Sequence, residues 1–142
     1  MILELTDNPG TIASLLVEAG LPDADIQQVD WLMMLGYQVN ENLVAAGGLE
    51  RCGKDLLLRS VVVAPQSRGR GLGFQLVNEL ESRAAKQGYT AIYLLTLDAQ
   101  RYFAGAPGYR ELEREAAPEG IRYSSQFTGI CPASATLMVK HI

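Results

Sequence analysis

Apolar residues recur along this chain with two different periods, and the period changes near residue 31. Upstream, Ile12, Leu15, Leu16 and Ala19 fall on one face of a helix. Asn8 is placed to cap that helix, with Pro9 in its first turn and Gly20 at its end. A shorter helix is predicted after Pro22. From Trp31 onward, segments 32–39, 42–51 and 55–63 are rich in β-forming or apolar residues, and turn residues separate them at Asn40-Glu41 and Gly53-Lys54. This predicts a three-stranded antiparallel meander. The run LLLRSVVV at 56–63 is apolar at most positions, as expected of a central strand buried on both faces. Of Met33 and Met34, strand alternation predicts one inward and one outward.

Pro65 should end the third strand. A glycine-rich turn follows, then a helix in which Leu72, Leu76, Leu80 and Ala84 repeat at helical spacing beside Val77. Asn78, Glu79, Ser82 and Arg83 take its polar face, and Gly88 closes it. Residues 91–97, AIYLLTL, predict another buried strand. Asp98 is placed to cap a short helix reaching about Ala104, and 109–113 and 135–140 predict the last two strands. The order α, βββ, α, β, α, β, β implies an α/β sandwich around a mixed sheet. At 142 residues the chain fits one domain, 1–142.

Composition narrows the function classes. The net charge of −4 argues against nucleic acid as partner, because phosphate backbones select basic proteins. Cys52 and Cys131 lie far apart without CxxC or Cys/His spacing, so neither a disulfide framework nor a metal site is expected, and a reducing cytoplasm is the default. The first residues, MILELTDNPG, lack the basic-then-apolar pattern of a signal peptide. No apolar run approaches membrane-spanning length.

The candidate chemistry lies in Arg68-Gly69-Arg70-Gly71-Leu72-Gly73, between a buried strand and a helix start. Glycines let backbone N–H groups turn toward one point, and the helix N-terminus adds unpaired donors and partial positive charge. Arg68 and Arg70 can add charge. The expected ligand is a phosphate or pyrophosphate; the competing reading is a tight turn without a ligand. A P-loop would need GxxxxGK followed by Ser or Thr, which is absent. A dinucleotide fingerprint would need GxGxxG, but Phe74 follows Gly69 and Gly71 where the third glycine belongs. The spacing present is R-x-x-G-x-G, at Arg68, Gly71 and Gly73.

With its flanking strand and helix, this turn resembles the pyrophosphate motif of the GCN5-related N-acetyltransferases. The resemblance implies a mixed, mostly antiparallel sheet with helices on both faces and splayed central strands, and acetyl-coenzyme A as co-substrate. It implies that main-chain groups at Val61, Val62 and Val63 meet the pantetheine arm and thioester. It also implies that Gly69, Arg70, Gly71, Leu72, Gly73 and Phe74 wrap the pyrophosphate. Members of that family often pair through their C-terminal strands, so a homodimer is compatible with it. Residues 121–140, IRYSSQFTGICPASATLMVK, together with Gly48-Leu49-Glu50 and Leu57-Leu58-Arg59-Ser60, resemble bacterial arsenic-resistance N-acetyltransferases. That implies a small-molecule amine acceptor, such as a toxic amino-acid analogue or an organoarsenical.

Acetyl transfer to an amine needs a proton acceptor, a polarised carbonyl and a protonated leaving thiolate. Glu50 is the candidate base, acting through water, with partial burial tuning it; the competing reading is a solvated strand-end carboxylate. In the family a tyrosine often faces the thiolate. Here that position falls on Phe103 or Ala104, neither with a hydroxyl, and the adjacent Tyr102 points about 100° away on a helix. Tyr102 is therefore either an acid in a shifted position or a packing residue, with solvent as the proton source. Arg59 and Tyr93 can line the acceptor pocket or serve structure alone. His141 is expected in a solvated tail and Cys131 as a packed thiol. The rival functions are a protein N-terminal acetyltransferase and a non-catalytic coenzyme A-binding module.

Overall fold

A computed structural model describes the chain except Pro22, Ala24 and residues 131–133. Its strands are β1 (Ile2–Glu4), β2 (Trp31–Val39), β3 (Asn42–Cys52), β4 (Asp55–Val63), β5 (Ala91–Thr96), β6 (Arg110–Leu112) and β7 (Thr136–His141). Its helices are α1 (Ala13–Glu18), α2 (Leu72–Lys86), α3 (Gln100–Ala104) and α4 (Glu119–Arg122). The strands form one seven-stranded sheet in the order β1-β2-β3-β4-β5-β7-β6. β4 and β5 run parallel, whereas β1–β2, β2–β3, β5–β7 and β6–β7 are antiparallel. Among the described residues, no helix is long and apolar enough to cross a membrane.

The chain groups into two compact units, Met1–Glu50 with Arg59–Leu80, and Arg51–Leu58 with Glu81–Ile142. In the first, β2 and β3 pair antiparallel as the first hairpin of the predicted meander. The β2–β3 hairpin closes through Asn40 and Glu41, both at positive φ (48° and 67°), the conformation that matches the twist of a two-residue hairpin. Ile12, Leu15 and Leu16 are buried as their spacing predicts, and so are Leu72, Leu76, Val77 and Leu80 of α2. Several local expectations fail. The Asn8 side chain makes no cap bond; a 3-10 turn, Pro9–Ile12, forms instead, held by Thr11, which donates through backbone and side chain to the Asn8 carbonyl. Met33 and Met34 are both buried: they pair in unbroken register with Leu49 and Gly48 and so point to opposite faces, and both faces of β2 are covered there. The segment 2–4 carries no strand signal of its own, yet it pairs with Leu35, Gly36 and Tyr37 of β2.

In the second unit β5 alternates rather than being buried throughout: Ile92 and Leu94 are buried, while Tyr93, Leu95 and Thr96 are partly exposed. Asp98 does not cap α3. The Thr96 hydroxyl accepts the Ala99 N–H at 3.0 Å, which turns the chain one residue later and makes Ala99 the cap position. The segment 114–130, without a predicted element, contributes Ala117 and Ile121 to an apolar cluster with Cys52, Leu57 and Leu137. His141 is exposed, as expected, but as the last residue of β7 rather than in a free tail. Cys131 lies outside the described residues.

This unit also holds a buried polar cluster that helical periodicity does not reveal. Glu81 of α2 is 8% exposed; it accepts from the Tyr109 hydroxyl at 3.0 Å and from Lys140 Nζ at 2.9 Å. Burial, and secondly the Glu81 charge, push the Tyr109 phenol far above its ordinary range. The folded protein therefore keeps a proton that the unfolded chain releases near pH ~10. Tyr109 contributes stability fully below that pH, and the contribution is lost as pH rises beyond it. Tyr109→Phe should cost about 1–3 kcal/mol at neutral pH, since Glu81 loses a buried donor. It should also flatten the alkaline loss of stability. Denaturant unfolding of both proteins from pH 7 upward checks this, and parallel alkaline limbs would count against the assignment.

Candidate active site

β4 is apolar except at Asp55, Arg59 and Ser60, and the latter two shape the site. Arg59 is 3% exposed, and a buried guanidinium needs partners. It has two. Nη2 donates to Asp25 Oδ1 at 2.7 Å, and Nη1 donates to Glu50 Oε1 at 2.9 Å. Trp31, the cross-strand partner of Glu50, lies against the same group, with the guanidinium carbon 5.6 Å from its ring centroid. The indole N–H donates to the Ile26 carbonyl at 3.0 Å, which fixes the ring. Gly48 makes room for it: a Cβ there would stand 2.5 Å from Trp31 Cζ3. Glu50 is partly buried, and it is paired rather than solvated. Its side chain is 12% exposed and held in an ion pair.

Ser60 has φ of 60°, a left-handed conformation inside a strand that costs a non-glycine residue about 1–2 kcal/mol. The parallel ladder to β5 joins Leu56, Leu57 and Leu58 to Ile92, Tyr93 and Leu94. β4 then passes through the strained Ser60 and continues over Val61, Val62 and Val63, of which only Val62 is buried.

The turn follows directly. Pro65–Ser67 form one 3-10 turn, and α2 starts at Leu72. Gly69 and Gly71 have φ of 80° and 75°, conformations that disfavour any side chain, and a Cβ on either would meet nothing within 4 Å. Two open glycines therefore precede the unpaired N–H groups of a helix start, an arrangement that suits an anion. Arg68 is exposed, and its Nε donates to the Val63 carbonyl at 3.2 Å, which ties the turn to the end of β4. Arg70 is exposed and lines a groove of about 570 Å³ with Glu18, Tyr37, Asn40, Asn42 and Gln66.

The sequence model of the acetyltransferase (GNAT) family matches residues 11–105. The chain belongs to this family. An uncharacterized N-acetyltransferase of Chlorobaculum tepidum is 33% identical over 64 residues, covering 45% of this chain and 40% of the relative. Among solved structures, a Mycobacterium tuberculosis protein in complex with coenzyme A superposes with a TM-score of 0.78 at 18% identity, over 100% of this chain and 99% of that one. A GNAT acetyltransferase of Elizabethkingia anophelis with acetyl-coenzyme A bound gives 0.74 at 16% identity, over 100% and 97%. N-acetylglutamate synthase of Neisseria gonorrhoeae, complexed with coenzyme A and N-acetyl-glutamate, gives 0.77 at 17% identity; this chain is matched over 99% but spans 35% of that protein.

In this GNAT chain, Glu50, Val61, Val62, Val63 and residues 68–74 all fall in the first compact unit, and Tyr102 falls in the second. Tyr102 is 45% exposed, whereas the neighbouring Phe103 is 7% exposed. The two rings meet edge to face at 5.0 Å. Partial burial raises the Tyr102 phenol above its ordinary value, so it stays protonated at neutral pH. Sequence reasoning missed Asp25 and Trp31 altogether and left Arg59 between pocket and scaffold. The available signal was an arginine inside a Leu/Val strand, which announces buried partners without naming them.

Proposed function

We propose that this GNAT chain is an acetyl-coenzyme A-dependent N-acetyltransferase acting on the amine of a small molecule. The observation that carries the reading is the pair of open, positive-φ glycines, Gly69 and Gly71, set between the strained strand β4 and the start of α2. On this reading the N–H groups of residues 69–74 hold the pyrophosphate, with Arg70 adding charge. Main-chain groups of Val61, Val62 and Val63 receive the pantetheine arm and polarise the carbonyl. The bound co-substrate supplies an activated acyl group as its thioester. Glu50 accepts the amine's proton through water. The Tyr102 hydroxyl or solvent returns a proton to the thiolate, which as an ordinary thiol of pKa about 8.5 is a tolerable leaving group.

The acceptor we infer is a toxic amino-acid analogue or organoarsenical, on the strength of the resemblance of residues 121–140 to arsenic-resistance acetyltransferases. The test is release of free thiol from acetyl-coenzyme A with a panel of amines, comprising amino-acid analogues, an aminoarsonate and peptide N-termini. Saturable release with the analogues is expected. Preference for peptide N-termini would replace the acceptor class. Tight coenzyme A binding with no turnover on any amine would favour a binding module, a reading to which the buried, hydroxyl-free Phe103 lends support.

A further inference from the structure

The network around Arg59 is costly for a merely structural feature. Its side chain is fully buried, and Nε has no hydrogen-bond partner among the described residues. Apolar side chains of similar volume often stabilise such a site as well or better. A buried guanidinium nitrogen without a protein partner calls for an explanation beyond packing. What the arginine supplies is geometry. Its planar fork gives Asp25 one terminal nitrogen and Glu50 the other, and Trp31 covers its face. A lysine would present a single point charge with rotatable donors and could not hold both carboxylates in fixed directions.

We infer that Arg59 is the positioning residue of this site. It engages one oxygen of Glu50 and so presents the other, on a side chain still 12% exposed, to water or the incoming amine. Through Asp25 it also ties the segment that precedes β2 to the base. Asp25 and Glu50 are far apart in sequence, and Arg59 bonds both. This rests on the reading of Glu50 as the base, so the test separates the two.

The experiment is a double-mutant cycle of Arg59→Lys and Glu50→Gln. It measures kcat and KM for the amine, coenzyme A affinity by calorimetry, and thermal unfolding. Arg59→Lys should lower kcat by roughly tenfold to a hundredfold, the scale of a small misplacement of a reacting group, with coenzyme A affinity unchanged. In the Glu50→Gln background the same change should lower kcat no further. If Arg59→Lys multiplies the Glu50→Gln loss by its full factor, or has the wild-type kcat, Arg59 does not act through Glu50. If Glu50→Gln itself turns over normally, the base assignment fails instead. Should Arg59→Lys not fold, Asp25→Asn keeps the Arg59–Glu50 pair and serves in the same cycle. A loss of kcat that disappears beside Glu50→Gln supports the inference, and a wild-type kcat overturns it.

Discussion

Replacing Gly71 by valine is expected to leave the protein folded and to weaken coenzyme A binding by about a hundredfold or more. Both halves follow from one torsion angle. Gly71 sits at φ of 75°, where a side chain costs about 1–2 kcal/mol of backbone strain. Nothing lies within 4 Å of the position a Cβ would take, so the free protein gains no clash. The added side chain instead occupies the open space in front of the first N–H groups of α2. Losing two hydrogen bonds to a charged phosphate, at about 1.5–3 kcal/mol each, corresponds to at least a hundredfold in affinity. Gly88 supplies the control, because its φ is 93° and its Cβ position is equally open, but it lies beyond the other end of α2. Gly88→Val should carry a similar strain and bind coenzyme A normally. Calorimetric titration of both variants decides the matter, and unchanged affinity in Gly71→Val would show that the pyrophosphate does not sit at this turn.

Glu50→Gln is expected to lower amine acetylation by about 10²- to 10⁴-fold, the usual contribution of a positioned general base. Coenzyme A affinity should not change. Glutamine keeps a carbonyl oxygen for Arg59 Nη1, so the clamp geometry survives, but Arg59 loses one of its two charged partners. A loss of about 1.5–3 kcal/mol in stability should accompany the change. The pH dependence adds a sharper criterion. Without a base, only the fraction of amine already deprotonated can react. Turnover by Glu50→Gln should then rise about tenfold per pH unit until the amine's own pKa, about 7.7–8.0 for an α-amino group. A variant whose rate and pH profile match the wild type would remove Glu50 from the chemistry.

How much of this could be read from the chain depends on the sequence distance each feature spans. The stripe of α2, the three segments of the meander and the glycine turn are each written within a short window, and each appears where expected. Local signals with a competitor nearby were less secure. Asn8 and Asp98 are good caps in isolation, but Thr11 and Thr96 hydroxyls took over the turns around them. β1 has no pattern of its own and exists because β2 offers it an edge. The positive φ of Ser60 has no local signature, since serine is not a residue that favours it.

Periodicity and spacing by themselves determined the α/β architecture, the position of the glycine turn and the absence from it of P-loop and dinucleotide spacing. Those properties arise from backbone preferences and from which face of an element is apolar, both encoded over a few residues. Only the tertiary structure decided the company that Glu50 keeps. Arg59 reaches it from β4, Trp31 pairs beside it from β2, and Asp25, in the segment before β2, holds the other end of the same guanidinium. A buried guanidinium selects whichever carboxylates the fold brings within reach, and that choice depends on strand register and chain return.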